Sequence, residues 1–194
     1  MQNLGSRVNN VSDWPDYCCV AALIEDAAKA LDVRLSGDRG DLARAVQTTV
    51  PAGAPNPLRL PESVSPESAG VLVSKLEREW PPADPQGLAN LGFEIVRATS
   101  MNPSDFPDSV ARYRRAGYFV GAGVDYGYLY GLGEVERRHV VRLHEVDSRR
   151  TYYFDPTEPS HGERSVATKE FWESMAWRGD GLWLFWRLEA RQDG

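Results

Sequence analysis

The sequence predicts an α+β fold, with N-terminal helices packed on a C-terminal antiparallel sheet in one domain that spans residues 1–194. Helical patterns come first along the chain, and segments rich in β-branched and aromatic residues come mainly after residue 118. This order is typical of α+β proteins. A length of 194 residues is ordinary for one domain and sufficient to bury a sizeable core.

The first helix is expected to begin at Cys18, with Asp16 as its N-cap. Apolar residues then recur at helical spacing, at Val20, Leu23, Ala27 and Leu31. Further helices are expected over residues 41–47, 66–80 and 104–115, and from residue 168 onward. The helix over 66–80 should begin at Ser65-Pro66 and bury Val71, Leu72 and Leu76.

Strands are expected where β-branched and aromatic residues cluster. These segments are residues 93–96, 118–124, 139–146, 151–154 and 182–186. Both faces of Leu182–Trp186 are apolar, which predicts a central strand covered on both sides. The stretch Gly121–Gly133 lacks the lysine and the following helix of a phosphate loop, so it is interpreted as a mobile hairpin connection close enough to a site to contact substrate.

Charge and hydropathy argue against two classes of partner. The chain carries 22 basic and 28 acidic residues, a net charge of −6 that disfavours nucleic-acid binding. No segment approaches the roughly 18 apolar residues of a membrane helix, so no membrane partner is expected. The polar residues 1–16 lack the apolar stretch of a signal peptide, which predicts a cytoplasmic protein.

The two cysteines, Cys18 and Cys19, are adjacent in the chain. Neighbouring cysteines rarely form a disulfide, and without a CxxC motif they predict neither a metal site nor a cofactor. A cysteine at a helix N-terminus is placed to be reactive, because the helix dipole stabilises a thiolate there. The alternative is that Cys18 or Cys19 is a small buried core residue.

A hairpin is expected to bring His139 and Asp155 together. The turn residues 147–150 separate two strands, and pairing about this turn places positions that sum to about 294–297 opposite each other. His139 then faces roughly positions 155–158. The alternative is that Asp155 only caps a turn with Pro156. His144 lies on the opposite, more polar face of the same strand.

Cysteine, histidine and aspartate in this order and placement resemble papain-like cysteine hydrolases, and in particular the C39-like peptidase group. Three stretches, about half the chain, carry the resemblance: Tyr17–Leu23, His139 through Pro156, and Ser165 through Phe185. The resemblance implies Cys18 as the nucleophile, His139 as general base and acid, and Asp155 as the residue that holds the imidazole.

The chain departs from this group at two positions. Ser12 stands where the family usually carries a glutamine that donates to the oxyanion, and Asn10 is a nearby amide that can substitute for it. Cys19 occupies the place usually held by glycine. Losing one oxyanion donor costs about 10²–10³ in rate, so an inactive relative is one of the alternatives.

The resemblance implies a cysteine hydrolase, a peptidase or amidase that works through a thioacyl-enzyme on a peptide or other acyl-bearing substrate and requires no cofactor. One alternative is an acyl or aminoacyl transferase with the same three residues. The others are a catalytically inactive binding module and a structural protein without such a site. The sequence does not separate hydrolysis from transfer, because both pass through the same intermediate.

Overall fold

A six-stranded antiparallel sheet forms the centre of the fold and confirms the α+β class. The computed structural model describes residues 14–15, 17–64, 69–82, 87–132, 138–157, 162–177 and 180–188. Its strands are β1 (Leu91–Arg97), β2 (Phe119–Asp125), β3 (Arg138–Val146), β4 (Arg150–Asp155), β5 (Gly162–Ala167) and β6 (Gly181–Arg187). They are arranged in the order β1-β6-β2-β3-β4-β5, and every neighbouring pair is antiparallel.

Helices cover both faces of this sheet. The helices are α1 (Cys19–Ala30), α2 (Arg39–Ala45), α3 (Val73–Arg78), α4 (Phe106–Arg115), α5 (Tyr126–Leu129) and α6 (Thr168–Trp177). Residues of α1, α2 and α3 share one core with Val140 and Trp183, whereas α4 and α6 share the other with Val141 and Leu184. The expected layer of N-terminal helices is therefore joined by a second layer on the opposite face. Within the described ranges, none of the helices has the length and apolar character needed to cross a membrane.

The central position predicted for Leu182–Trp186 is confirmed, since β6 lies between β1 and β2. Its side chains alternate between the two cores. Trp183 and Phe185 enter the core that contains α1, and Leu182 and Leu184 enter the other. Burial on both faces explains why this strand is a continuous apolar run rather than an alternating one.

Elements α3 and β5 differ from the sequence prediction. The helix expected over residues 66–80 is limited to α3, and Leu72 is exposed rather than buried; its expected start at residues 65–67 lies outside the described residues. Strand β5 was not predicted, because it is a polar edge strand with no apolar alternation. Its backbone pairing with β4 is what defines it.

The chain enters α1 beside the end of β4. Trp14 is buried, forms a parallel bridge with Thr157, and donates from Nε1 to Glu25 Oε2 at 2.8 Å. Cys18 is the N-cap residue of α1, one position before the first helical residue. The expected N-cap, Asp16, lies outside the described residues. The start of α1 and the end of β4 are thus held at the same end of the sheet.

Candidate active site

The β3–β4 hairpin joins His139 to Asp155. The register pairs Arg142 with Phe154, and one further step along both strands sets Asp155 opposite Val141, diagonal to His139. His139 Nε2 lies 2.9 Å from both Asp155 carboxylate oxygens, and both side chains are buried. The predicted hairpin therefore brings these two residues into direct contact.

Asp155 is held by donors from three directions. Besides the imidazole, the Tyr130 hydroxyl donates to Oδ2 at 2.5 Å and the Thr157 backbone N–H donates to Oδ1 at 3.2 Å. Burial alone would raise the pKa of Asp155, but the hydrogen bonds and the charge of His139 outweigh it and hold the pKa below its ordinary value. Asp155 is therefore an ionised carboxylate at neutral pH.

The Cys19 thiol is the second group that acts on His139. Burial by itself would lower the pKa of His139, but the charge on Cys19 and the contacts with Cys19 and Asp155 raise it above its ordinary value. Asp155 occupies Nε2, and the enclosed Nδ1 makes no fully aligned hydrogen bond. The Cys19 thiol is therefore a neighbour of the imidazole, and its contact favours the protonated form of His139.

The two cysteines occupy different positions in this arrangement. The sequence assigns the nucleophile to Cys18, which the structure places at the N-cap with 1% exposure. Cys19 is the first residue of α1, is 9% exposed, and is the thiol that the structure couples to His139. A helix N-terminus stabilises a negative charge, so the position of Cys19 also suits a thiolate.

Two tyrosines form the wall behind the imidazole. The rings of Tyr126 and His139 pack edge to face, with centroids 5.3 Å apart and an interplanar angle of 85°. Tyr130 packs on Tyr126 at 4.5 Å and reaches Asp155 with its hydroxyl. Tyr126 therefore packs on the ring of His139, while Tyr130 holds one carboxylate oxygen of Asp155.

Sequence reasoning missed these tyrosines because it interpreted Gly121–Gly133 as a mobile hairpin connection. Within the described part, this stretch contains the end of β2 and the short helix α5. Asp125 caps α5 by accepting from the Tyr128 N–H at 2.8 Å. An Asp followed by tyrosines four residues apart is the local signal for such a helix.

The remaining predicted site residues are the two candidate oxyanion donors. Asn10 and Ser12, the candidate oxyanion donors, lie outside the described residues. Across the ranges that the structure describes, no group of three or more His, Cys, Asp and Glu side chains is arranged to hold a metal ion. His144 contacts Arg142, with 3.1 Å between Nε2 and Nη2, and belongs to a separate polar cluster.

No protein-family model matches this sequence, and comparison with curated proteins finds no significant match.

Proposed function

We propose that this protein is a cysteine hydrolase resembling the C39-like group of papain-like enzymes, with Cys19 as nucleophile, His139 as acid and base, and Asp155 as the residue that orients the imidazole. The supporting observation is that His139 is buried between an ionised Asp155 and the thiol at the start of α1. A nucleophile, a base and an orienting acid arranged in this way are the parts needed for acyl transfer.

The reaction begins with the Cys19 thiolate, which attacks the carbonyl carbon of an amide or ester. A sulfur–carbon bond forms, and the carbonyl electron pair moves onto oxygen. When this pair returns, the bond to the leaving group breaks, and the His139 imidazolium supplies the proton that the leaving amine or alcohol needs. A thioacyl-enzyme and a neutral imidazole remain.

The second half of the reaction releases the acyl group. Neutral His139 takes a proton from water, and the resulting hydroxide attacks the thioester carbon. The sulfur–carbon bond breaks, the acid leaves, and the thiolate–imidazolium pair is restored. Asp155 keeps its charge throughout and stabilises the imidazolium, while Tyr130 and Thr157 hold the carboxylate in place.

Site-resolved alkylation with iodoacetamide between pH 5 and 9 tests this proposal. We expect Cys19 to react selectively, with a midpoint well below the ordinary thiol value of about 8.5. His139→Ala should move this midpoint upward, because it removes the imidazolium. Cys18→Ser should leave the profile unchanged, and Cys19→Ser should abolish the reaction.

Turnover of p-nitrophenyl acetate then separates catalysis from simple reactivity. Acetylation of Cys19 followed by acetate release supports the hydrolase, whereas release only when an amine is added supports transfer. An ordinary Cys19 titration that is unaffected by His139→Ala would contradict both. Selective alkylation of Cys18 would instead identify Cys18 as the nucleophile, as the family resemblance implies.

A further inference from the structure

Within the part of the chain that the structure describes, no acceptor pairs with the buried indole N–H of Trp183. Trp183 is 0% exposed, and its Nε1 makes no hydrogen bond. Most buried donors in proteins are paired, because an unpaired one loses its bonds to water without replacement. By contrast, Trp14 Nε1 and Trp80 Nε1 both donate at 2.8 Å. The unpaired donor of Trp183 therefore calls for an explanation.

The Trp183 ring lies against Gly123 of β2. Strand β6 pairs Trp183 with Gly121 and Gly181 with Gly123. A Cβ atom built on Gly123 would lie 2.9 Å from Nε1, so the N–H is at the Gly123 end of the ring. Gly123 is next to Val124, the residue that pairs with His139. The unpaired N–H thus points to the end of the sheet where the imidazole lies.

The direction of α1 relates this N–H to the nucleophile. Cys19 acts on His139 at the start of β3, and Asp26 accepts from Arg142 further along the same strand. The helix and β3 therefore run in the same direction. Strand β2 runs in the opposite direction beside β3.

Leu23 packs directly on Gly121, since a Cβ atom built on Gly121 would lie 2.7 Å from Leu23 Cδ2. This contact shows which residue of α1 is level with which residue of β2 along the strand direction. Cys19 precedes Leu23 by one turn, about 6 Å along the helix axis. Gly123 lies two residues further along β2, about 6.6 Å in the same direction. Cys19 and the N–H of Trp183 are accordingly at the same level of the interface between α1 and the sheet, within one core cluster.

We propose that the Trp183 indole N–H is a catalytic donor to the oxyanion that forms when Cys19 attacks the substrate carbonyl, an inference that rests on the proposed function. As the sulfur–carbon bond forms, the charge moves from sulfur to the carbonyl oxygen, and the fixed N–H donates to that oxygen without being transferred. A donor that is oriented in advance and shielded from water is most effective here.

Trp183→Phe tests this role, because it removes the N–H and keeps an aromatic ring in place. Trp172→Phe is the matched control, since Trp172 is also buried but belongs to the core on the opposite face. Two rates are measured at Cys19: the acylation burst with p-nitrophenyl acetate, which forms an oxyanion, and alkylation by iodoacetamide, which forms none.

We expect Trp183→Phe to slow acylation by about 10²-fold while alkylation changes by less than about twofold, in line with the loss of one oxyanion donor. The control should change neither rate. An unchanged ratio of the two rates in Trp183→Phe, including an equal fall in both, would overturn the inference and leave the hydrolase proposal standing. Wild-type Cys19 that is alkylated but never acylated would instead reject the proposed function, and this inference with it.

Discussion

Strand β3 carries two buried charged pairs that look alike and behave differently. His139 pairs with Asp155 at 2.9 Å, and Arg142, three residues along the strand, pairs with Asp26 at 3.0 Å. The first pair links β3 to the end of β4, and the second links β3 to α1. All four residues are buried, so each pair loses a comparable hydration shell on folding.

The two carboxyl groups respond to burial in opposite ways. Asp155 accepts from the imidazole, a hydroxyl and a backbone N–H, and its pKa falls below the ordinary value despite burial. At Asp26, burial outweighs the charge of Arg142 and raises the pKa to about 6. The ion pair with Arg142 therefore does not offset the effect of burial on the pKa of Asp26, whereas the converging donors at Asp155 do.

The surroundings of Arg142 fit a structural role. Its guanidinium lies 4.5 Å from the centroid of the Phe154 ring and 3.1 Å from His144 Nε2. Burial and the charge of Arg142 lower the pKa of His144 to about 4, so His144 is a neutral acceptor at physiological pH. The Arg142 cluster cross-links α1 to the sheet, whereas the His139 cluster is the one that we propose transfers protons.

The largest expected effect distinguishes the two carboxylates by function. Asp155→Ala should slow acylation of Cys19 by p-nitrophenyl acetate by roughly 10⁴-fold, because no group is then left to orient the His139 imidazole or to stabilise its charge. Asp26→Asn should change that rate by less than about twofold. Similar rates in the two variants would contradict the assignment of Asp155 to the site.

The next effect concerns stability. Arg142→Met alone should lower the free energy of unfolding by about 3–5 kcal/mol, since it leaves the carboxyl group of Asp26 buried without its charged partner. The double variant Arg142→Met with Asp26→Leu should recover most of this loss or exceed wild type. Urea denaturation measures both, and additive losses would show that the pair is not coupled.

A smaller effect is the pH dependence that the two carboxyl groups impose with opposite sign. The folded-state pKa of Asp26, about 6, is above the unfolded value of 3.8, so the folded protein holds this proton more tightly. Its contribution to stability should therefore fall by about 2–3 kcal/mol as the pH rises from 4 to above 6. The pKa of Asp155 lies below 3.8, so its contribution is present above that pH and is lost as the pH falls.

Urea unfolding at several pH values, with Asp26→Asn beside wild type, checks this prediction. The variant should lack the decline that wild type shows between pH 4 and 6. Parallel curves for the two proteins would show that Asp26 has an ordinary pKa in the folded state.

The smallest expected effect comes from Tyr130→Phe, which removes one of the donors to Asp155. Acylation of Cys19 should slow by about tenfold, the size expected for one hydrogen bond to a charged group. The acidic limb of the pH profile of the acylation rate should also move to higher pH, because the pKa of Asp155 rises when it loses this donor. Tyr128→Phe is the matched control, since that hydroxyl donates to Glu173 in an exposed hydrogen bond instead. A shift of equal size in the control would remove Tyr130 from its positioning role.

The sequence by itself determined the α+β class, the central strand and the contact between His139 and Asp155. These features depend on local rules: the period of two in strands, the apolar run of β6, and a turn at residues 147–150 that sets the register of the hairpin. A pairing that needs only one turn and two strands is encoded within a short stretch of chain.

Only the tertiary structure decided which thiol meets the imidazole and which side chains surround it. Moving the start of α1 by one residue rotates a side chain by about 100°, and the packing of the helix on β3 determines which of Cys18 and Cys19 faces His139. Tyr130 reaches Asp155, and the Trp183 ring comes to lie beside Gly123, through helix and sheet packing that no local pattern records. Side-chain direction across an interface depends on how the layers pack, and that is settled only when the whole core forms.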